Sequence, residues 1–141
     1  MGCADMTRRH DLWPSRLNEY LLAATERPFC WGENDCATFV FGAAEAMTGE
    51  DHAASWRGKY KTKAGALKQI KKHGVENLGA WLDKFYSRQP INFSQRGDIV
   101  SVDQDVFGAF GIVLGSEAIF LGPDGTEARP LDVIDYSWRV E

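Results

Sequence analysis

Cysteine and histidine are both scarce in this chain, three of each in 141 residues, and that scarcity removes several chemistries. Cys3, Cys30 and Cys36 form an odd, widely spaced set, too few for a disulfide framework or a four-ligand zinc site. Their thiols are expected to be reduced. No Gly-rich phosphate loop and no cluster of His, Cys and Asp at ligand spacing occurs, so neither cofactor nor metal is expected. Long hydrophobic runs are missing as well. Phe39 to Ala44 and Phe107 to Leu114 fall far short of the roughly 18 to 20 residues of a membrane span. Met1 to His10 lacks the apolar core of a secretory signal and fails the myristoylation pattern at Met6. Residues 1–10 are read as a polar arm and 11–141 as a single domain.

Acids are absent from His52 to Val75, a window holding Arg57, Lys59, Lys61, Lys63, Lys68, Lys71 and Lys72. Asp98 to Glu141 is the reverse, with nine acids against Arg129 and Arg139. A basic helix face meets solvent more often than nucleic acid, and no nucleic-acid partner is expected.

What is present is enough for one independent core: 44% of residues are hydrophobic and 12% aromatic. Trp13, Leu17, Tyr20, Leu21 and Ala24 make a one-sided stripe behind Pro14, which predicts a first helix. Asn34 or Asp35 caps a second, in which Cys36, Phe39, Val40, Ala43 and Met47 share a face before Thr48-Gly49 ends it. Thr62 to His73 and Glu76 to Tyr86 predict two more, separated by Gly74. After Pro90 the pattern becomes short β-rich runs at Asp98–Val102, Phe110–Leu114, Ala118–Leu121 and Tyr136–Val140. They are split by Gly115-Ser116 and by the turn sequence Gly122-Pro123-Asp124-Gly125. The expected fold is α+β, with N-terminal helices packed on a C-terminal antiparallel meander.

The candidate site is the segment Pro28-Phe29-Cys30-Trp31-Gly32-Glu33-Asn34-Asp35-Cys36, a loop that delivers Cys36 into the first turn of an apolar helix. Unpaired amide hydrogens and the positive end of the helix dipole favour a thiolate there. Glu33 and Asp35 oppose that effect unless Asp35 is turned away as the cap. The bland alternative is a small buried thiol filling a helix–sheet interface. Trp31 is expected to pack over the cysteine helix, and Trp138 to close the sheet.

Trp31-Gly32, a short spacer, Asp35-Cys36-Ala37-Thr38 and Phe39-Val40 resemble the nucleophile segment of the NlpC-type, papain-like cell-wall cysteine peptidases. Arg96-Gly97-Asp98-Ile99-Val100 and Gly111-Ile112-Val113-Leu114-Gly115 resemble two strands of that family, in the same order. With Gly122-Pro123-Asp124-Gly125 and the terminal Trp138-Arg139-Val140, the chain is most similar to a small subfamily encoded among the tail genes of tailed phages and prophages. The resemblance implies a papain-like fold, Cys36 as nucleophile, a pocket lined by Trp31, Asp35, Ala109 and Leu121, and a place in a phage tail.

A cysteine peptidase also needs an imidazole to take the thiol proton and return it to the leaving amine. Matching the family strand to Gly111–Gly115 sets Ala109 where the family carries its histidine, with Phe110 beside it. Leu121 falls near the position of the third polar residue. His10, His52 and His73 lie off the sheet pattern and read as surface residues. The expectation is a peptidase-like fold without its base, made in the host cytoplasm and carried in the virion as an assembly module of the tail tip, with other tail proteins as partners. The alternative is an active cysteine endopeptidase or amidase that cuts peptidoglycan as the phage opens the wall.

Overall fold

The computed structural model describes residues 9–102, 109–122 and 125–141. It is an α+β molecule in which helices α1 (Trp13–Ala24), α2 (Cys36–Thr48), α3 (Lys63–Lys72) and α4 (Leu78–Leu82) precede all six strands. The strands are β1 (Ser87–Gln89), β2 (Ile99–Val102), β3 (Ala109–Val113), β4 (Glu117–Gly122), β5 (Gly125–Pro130) and β6 (Tyr136–Arg139). They form one antiparallel sheet in the order β1-β6-β2-β3-β4-β5.

α2 is the central helix. Its residues from Cys36 through Ala44, and Met47, are all buried, so it is apolar around most of its circumference, as a helix enclosed on several sides must be. α1 packs against one side of it, and strands β3 and β4 against another. Gly42 is what lets α1 approach: a Cβ there would lie 2.3 Å from the Tyr20 hydroxyl, which donates to the Phe39 carbonyl at 2.8 Å. Gly49 ends the helix in the left-handed conformation, with φ of 86°.

The alternation of the strands splits the core in two. Ile99, Phe110, Ile112, Leu121 and Trp138 face the helices, whereas Val100, Val113, Ala118, Phe120 and Ile134 face the other side. That second face is covered by Ile91 and Leu131, each at the start of a short 3-10 turn.

Three features differ from the sequence pattern. The fourth helix stops at Leu82, not Tyr86, and the chain turns at once into β1, which pairs with β6. Its end is fixed by Asp83, whose carboxylate accepts from Trp138 Nε1 at 2.8 Å and from Arg88 at 2.8 and 3.1 Å. Second, only β2 to β5 form a meander; β6 crosses back to lie between β1 and β2. Third, β5 extends the sheet through Gly-Thr-Glu-Ala-Arg-Pro, a polar run with no apolar alternation to announce it. The turn residues Pro123 and Asp124 and most of the expected N-terminal arm lie outside the described residues. Within that arm, Arg9 is held at the C-terminal end of the fold: it donates to Val140 O at 2.7 Å and to Arg96 O at 2.9 Å, and pairs with Asp98 at 2.8 Å.

Candidate functional site

The loop before α2 is fastened by its own backbone. Cys30 and Asn34 form an antiparallel bridge, and Asn34 Nδ2 donates to the carbonyls of Arg27 and Pro28 at 3.3 and 2.9 Å. Gly32 sits at φ of 86° with its α-carbon against the Tyr60 carbonyl; a Cβ would be 2.1 Å from that oxygen. Gly32 O in turn accepts from Gly58 N at 2.9 Å, so the segment after α2 runs back over the loop that precedes Cys36.

Asp35 is the centre of this arrangement and is fully buried. One carboxylate oxygen accepts from Ala37 N at 3.0 Å, Thr38 N at 2.9 Å and Thr38 Oγ1 at 3.2 Å; the Asp35 amide donates to Thr38 Oγ1 at 2.8 Å, completing a capping box. The other oxygen accepts from Gly32 N at 2.8 Å and from the Tyr60 hydroxyl at 2.7 Å. Burial, the Asp35 charge and the nearby Cys36 together hold the Tyr60 phenol far above its ordinary range, so it stays a donor. Tyr60 carries no sequence signal. It lies 25 residues from its partner in an otherwise basic stretch.

Cys36 occupies the first turn of α2 and is 8% exposed. The other described thiol, Cys30, is exposed and within 3.3 Å of Glu33 Oε2. That hydrogen bond, with the carboxylate charge, pushes its pKa up and keeps it protonated. Trp31 is half-buried against the helix-side core, edge-on to Phe29 at 5.0 Å. Leu121 also belongs to the helix-side core, 4% exposed.

Ala109 does not join them. It packs with Val102 against the second core, and the residue that β3 turns toward the helices is Phe110, its ring tilted against Trp138 at 5.9 Å. Counting from Gly111 therefore points to the wrong face of the strand: side chains alternate, and a one-residue offset reverses them.

All three histidines lie within the described residues, and each is engaged elsewhere. The His10 amide donates to Met47 O at 2.6 Å, at the far end of α2, roughly 16 Å along the helix from Cys36. His52, beyond the same end, is stacked on Phe85 at 3.9 Å and edge-on to Tyr86 at 5.7 Å. His73 stacks on Trp56 at 4.7 Å, edge-on to Trp81 at 5.1 Å, with Ser55 Oγ and Gln69 O at its ring nitrogens at 3.0 and 2.8 Å. His52 and His73 are thus parts of an aromatic cluster, not the plain surface residues their positions suggest.

The basic window is used unevenly. Arg57 pairs with Asp51 at 2.7 Å and donates to Thr38 O at 3.2 Å, while Lys63, Lys68, Lys71 and Lys72 are exposed. Among the described residues no group of acids, histidines and cysteines is placed to hold a metal, and no helix is long and apolar enough to cross a membrane.

The profile of a domain of unknown function, DUF6950, matches residues 8–140, and the chain belongs to that family. No curated protein and no solved structure matches it.

Proposed function

We propose that this chain is a papain-like, NlpC-type module that has lost its hydrolytic base and serves as an assembly component of a phage tail tip. Its cysteine stands in the first turn of a buried helix that lies on β3 and β4 of an antiparallel sheet, the arrangement a papain-like fold requires. The observation that carries the reading is the disposition of the imidazoles: two at the far end of α2 and one locked in a tryptophan stack. The strand facing Cys36's helix offers Phe110 and Ile112 instead. A peptidase of this type uses an imidazole both to activate its thiol and to return a proton to the leaving amine, and the three imidazoles of this chain are engaged elsewhere. The tail assignment rests on the resemblance in the Trp31–Val40, Arg96–Val100 and Gly111–Gly115 segments.

The test has two arms. Purified protein is incubated with peptidoglycan and the muropeptides are compared with those from Cys36→Ala; no release above the variant is expected. Release by the wild type that disappears in Cys36→Ala would overturn the base-less reading. In the second arm, tail particles are purified and probed for the chain. Its absence from assembled tails would overturn the assembly role.

A further inference from the structure

We propose that the open edge of β5 is a self-association surface on which a second copy of this chain pairs antiparallel, joining two sheets into one. The inference stands on the sheet edge and does not depend on whether Cys36 is active.

β5 is a terminal strand of the sheet, hydrogen-bonded to β4 on one side. Leu131 N donates inward to Ser116 O at 3.3 Å, so by alternation the backbone groups of Thr126 and Ala128 and the carbonyl of Pro130 point outward. The charges on this strand are arranged symmetrically about Ala128. Glu127 and Arg129 lie on the same face, opposite Phe120 and Ala118, and are held side by side at 3.0 Å. A two-fold axis through Ala128 sets Glu127 of one copy against Arg129 of the other, and the reverse, so the edge is complementary to itself. In that register the two Ala128 residues exchange both backbone hydrogen bonds. Thr126 N–H meets the Pro130 carbonyl of the second copy; Pro130 has no N–H to return, so the Thr126 carbonyl stays with water and this pair makes one hydrogen bond in place of two. Exposed Ala128 is small enough for the dyad.

The helix side of the same edge is apolar. A groove of about 360 Å³ runs between α1 and the strands, lined mainly by Leu21, Leu22, Leu114 and Ile119, with Asn18, Thr25 and Thr126 as its polar members. Leu22 in its wall is 70% exposed, the most exposed large hydrophobic residue among those described. Pairing about Ala128 brings the grooves of both copies onto one side of the joined sheet and supplies the apolar area that backbone hydrogen bonds alone lack. Charges and proline on an edge strand also serve to discourage pairing. Here the alternation of sign along the strand repels neither copy, and the proline, at the end of the paired segment, removes one bond from each Thr126–Pro130 pair and leaves the exchange at Ala128 intact.

Sedimentation velocity over a concentration series tests this. A reversible monomer–dimer equilibrium is expected. Ala128→Pro removes the outward N–H at the dyad and is expected to give monomer. Glu127→Arg sets like charges against each other at two places and should raise the dimer dissociation constant about ten-fold. The exchanged variant Glu127→Arg/Arg129→Glu keeps the complementarity and should restore it, which a mere loss of fold would not do. A monomer at every concentration, or a dimer indifferent to both Glu127→Arg and Ala128→Pro, overturns the proposal. If Ala128→Pro does not fold, the charge reversal and its exchange decide alone.

Discussion

Asp35 and Asp98 are both buried carboxylates, 0% and 1% exposed, and they are satisfied in opposite ways. Asp35 has four of its partners within three residues, at Gly32, Ala37 and Thr38, and reaches outside the loop once, to the neutral Tyr60 hydroxyl. Asp98 draws on the whole chain. It accepts from Arg9 and Val140 N on one oxygen, at 2.8 and 3.2 Å, and from Gln89 and Gln95 N on the other, both at 2.9 Å. The first is a helix cap that uses amides and the helix dipole in place of a counter-ion. The second is a buried ion pair that ties the N-terminal segment to β1 and the end of β6. One fixes where a helix starts; the other fixes how distant parts of the chain meet.

If that distinction is right, removing Asp98 does the greater damage. Asp98→Ala strands Arg9, whose side chain is 10% exposed, and should cost about 3–5 kcal/mol in urea unfolding. Asp35→Ala loses a cap and leaves the Tyr60 hydroxyl and Gly32 amide unpaired, for about 2–3 kcal/mol. An Asp35→Ala variant less stable than Asp98→Ala would reverse the ranking and make the loop before α2, not the chain ends, the keystone of the fold. Asp35→Ser sharpens the point, because serine caps α2 but does not also reach Tyr60; it should regain about 1 kcal/mol over Asp35→Ala. Tyr60→Phe, which leaves Asp35 with its amide donors, should cost about 1 kcal/mol. A loss as large as that of Asp35→Ala would show that the phenol, and not the cap, carries the site.

The same contrast explains what the sequence disclosed. Asp35, Thr38 and Gly49 act within a few residues of themselves, so α2 and its boundaries were legible, as was the burial of Cys36. The strands with apolar alternation were legible too. β5 was not, because its outward face is charged and its inward face is Thr126 and Ala128, neither distinctive. Asp98 reads only as the first residue of a strand, since two of its partners, Arg9 and Val140, lie 89 and 42 positions away. Ala109 was placed by counting from Gly111, and the strand's alternation sends it to the second core. His52 and His73 read as surface residues because the rings that enclose them, Trp56, Trp81 and Phe85, belong to other segments.

His52 offers the smallest test, at a buried polar group with no such arrangement. Its Nε2 is buried without a hydrogen-bond partner; the nearest carboxylate oxygen, of Glu50, is 3.9 Å away. Burial holds the imidazole pKa below its ordinary 6.5, against the opposing pull of Glu50 and Asp51. A group whose folded pKa is depressed contributes stability that is complete above the unfolded value and is lost as pH falls through the folded one. The unfolding midpoint should therefore be flat above about pH 7 and decline toward pH 5. His52→Gln should remove part of that decline. A decline of equal steepness in the variant would mean that Glu50 already accommodates the charged ring, and that the unpartnered nitrogen has no energetic consequence. An attenuated decline would instead place the acid-sensitive contact at the stack of His52 on Phe85, away from both buried carboxylates.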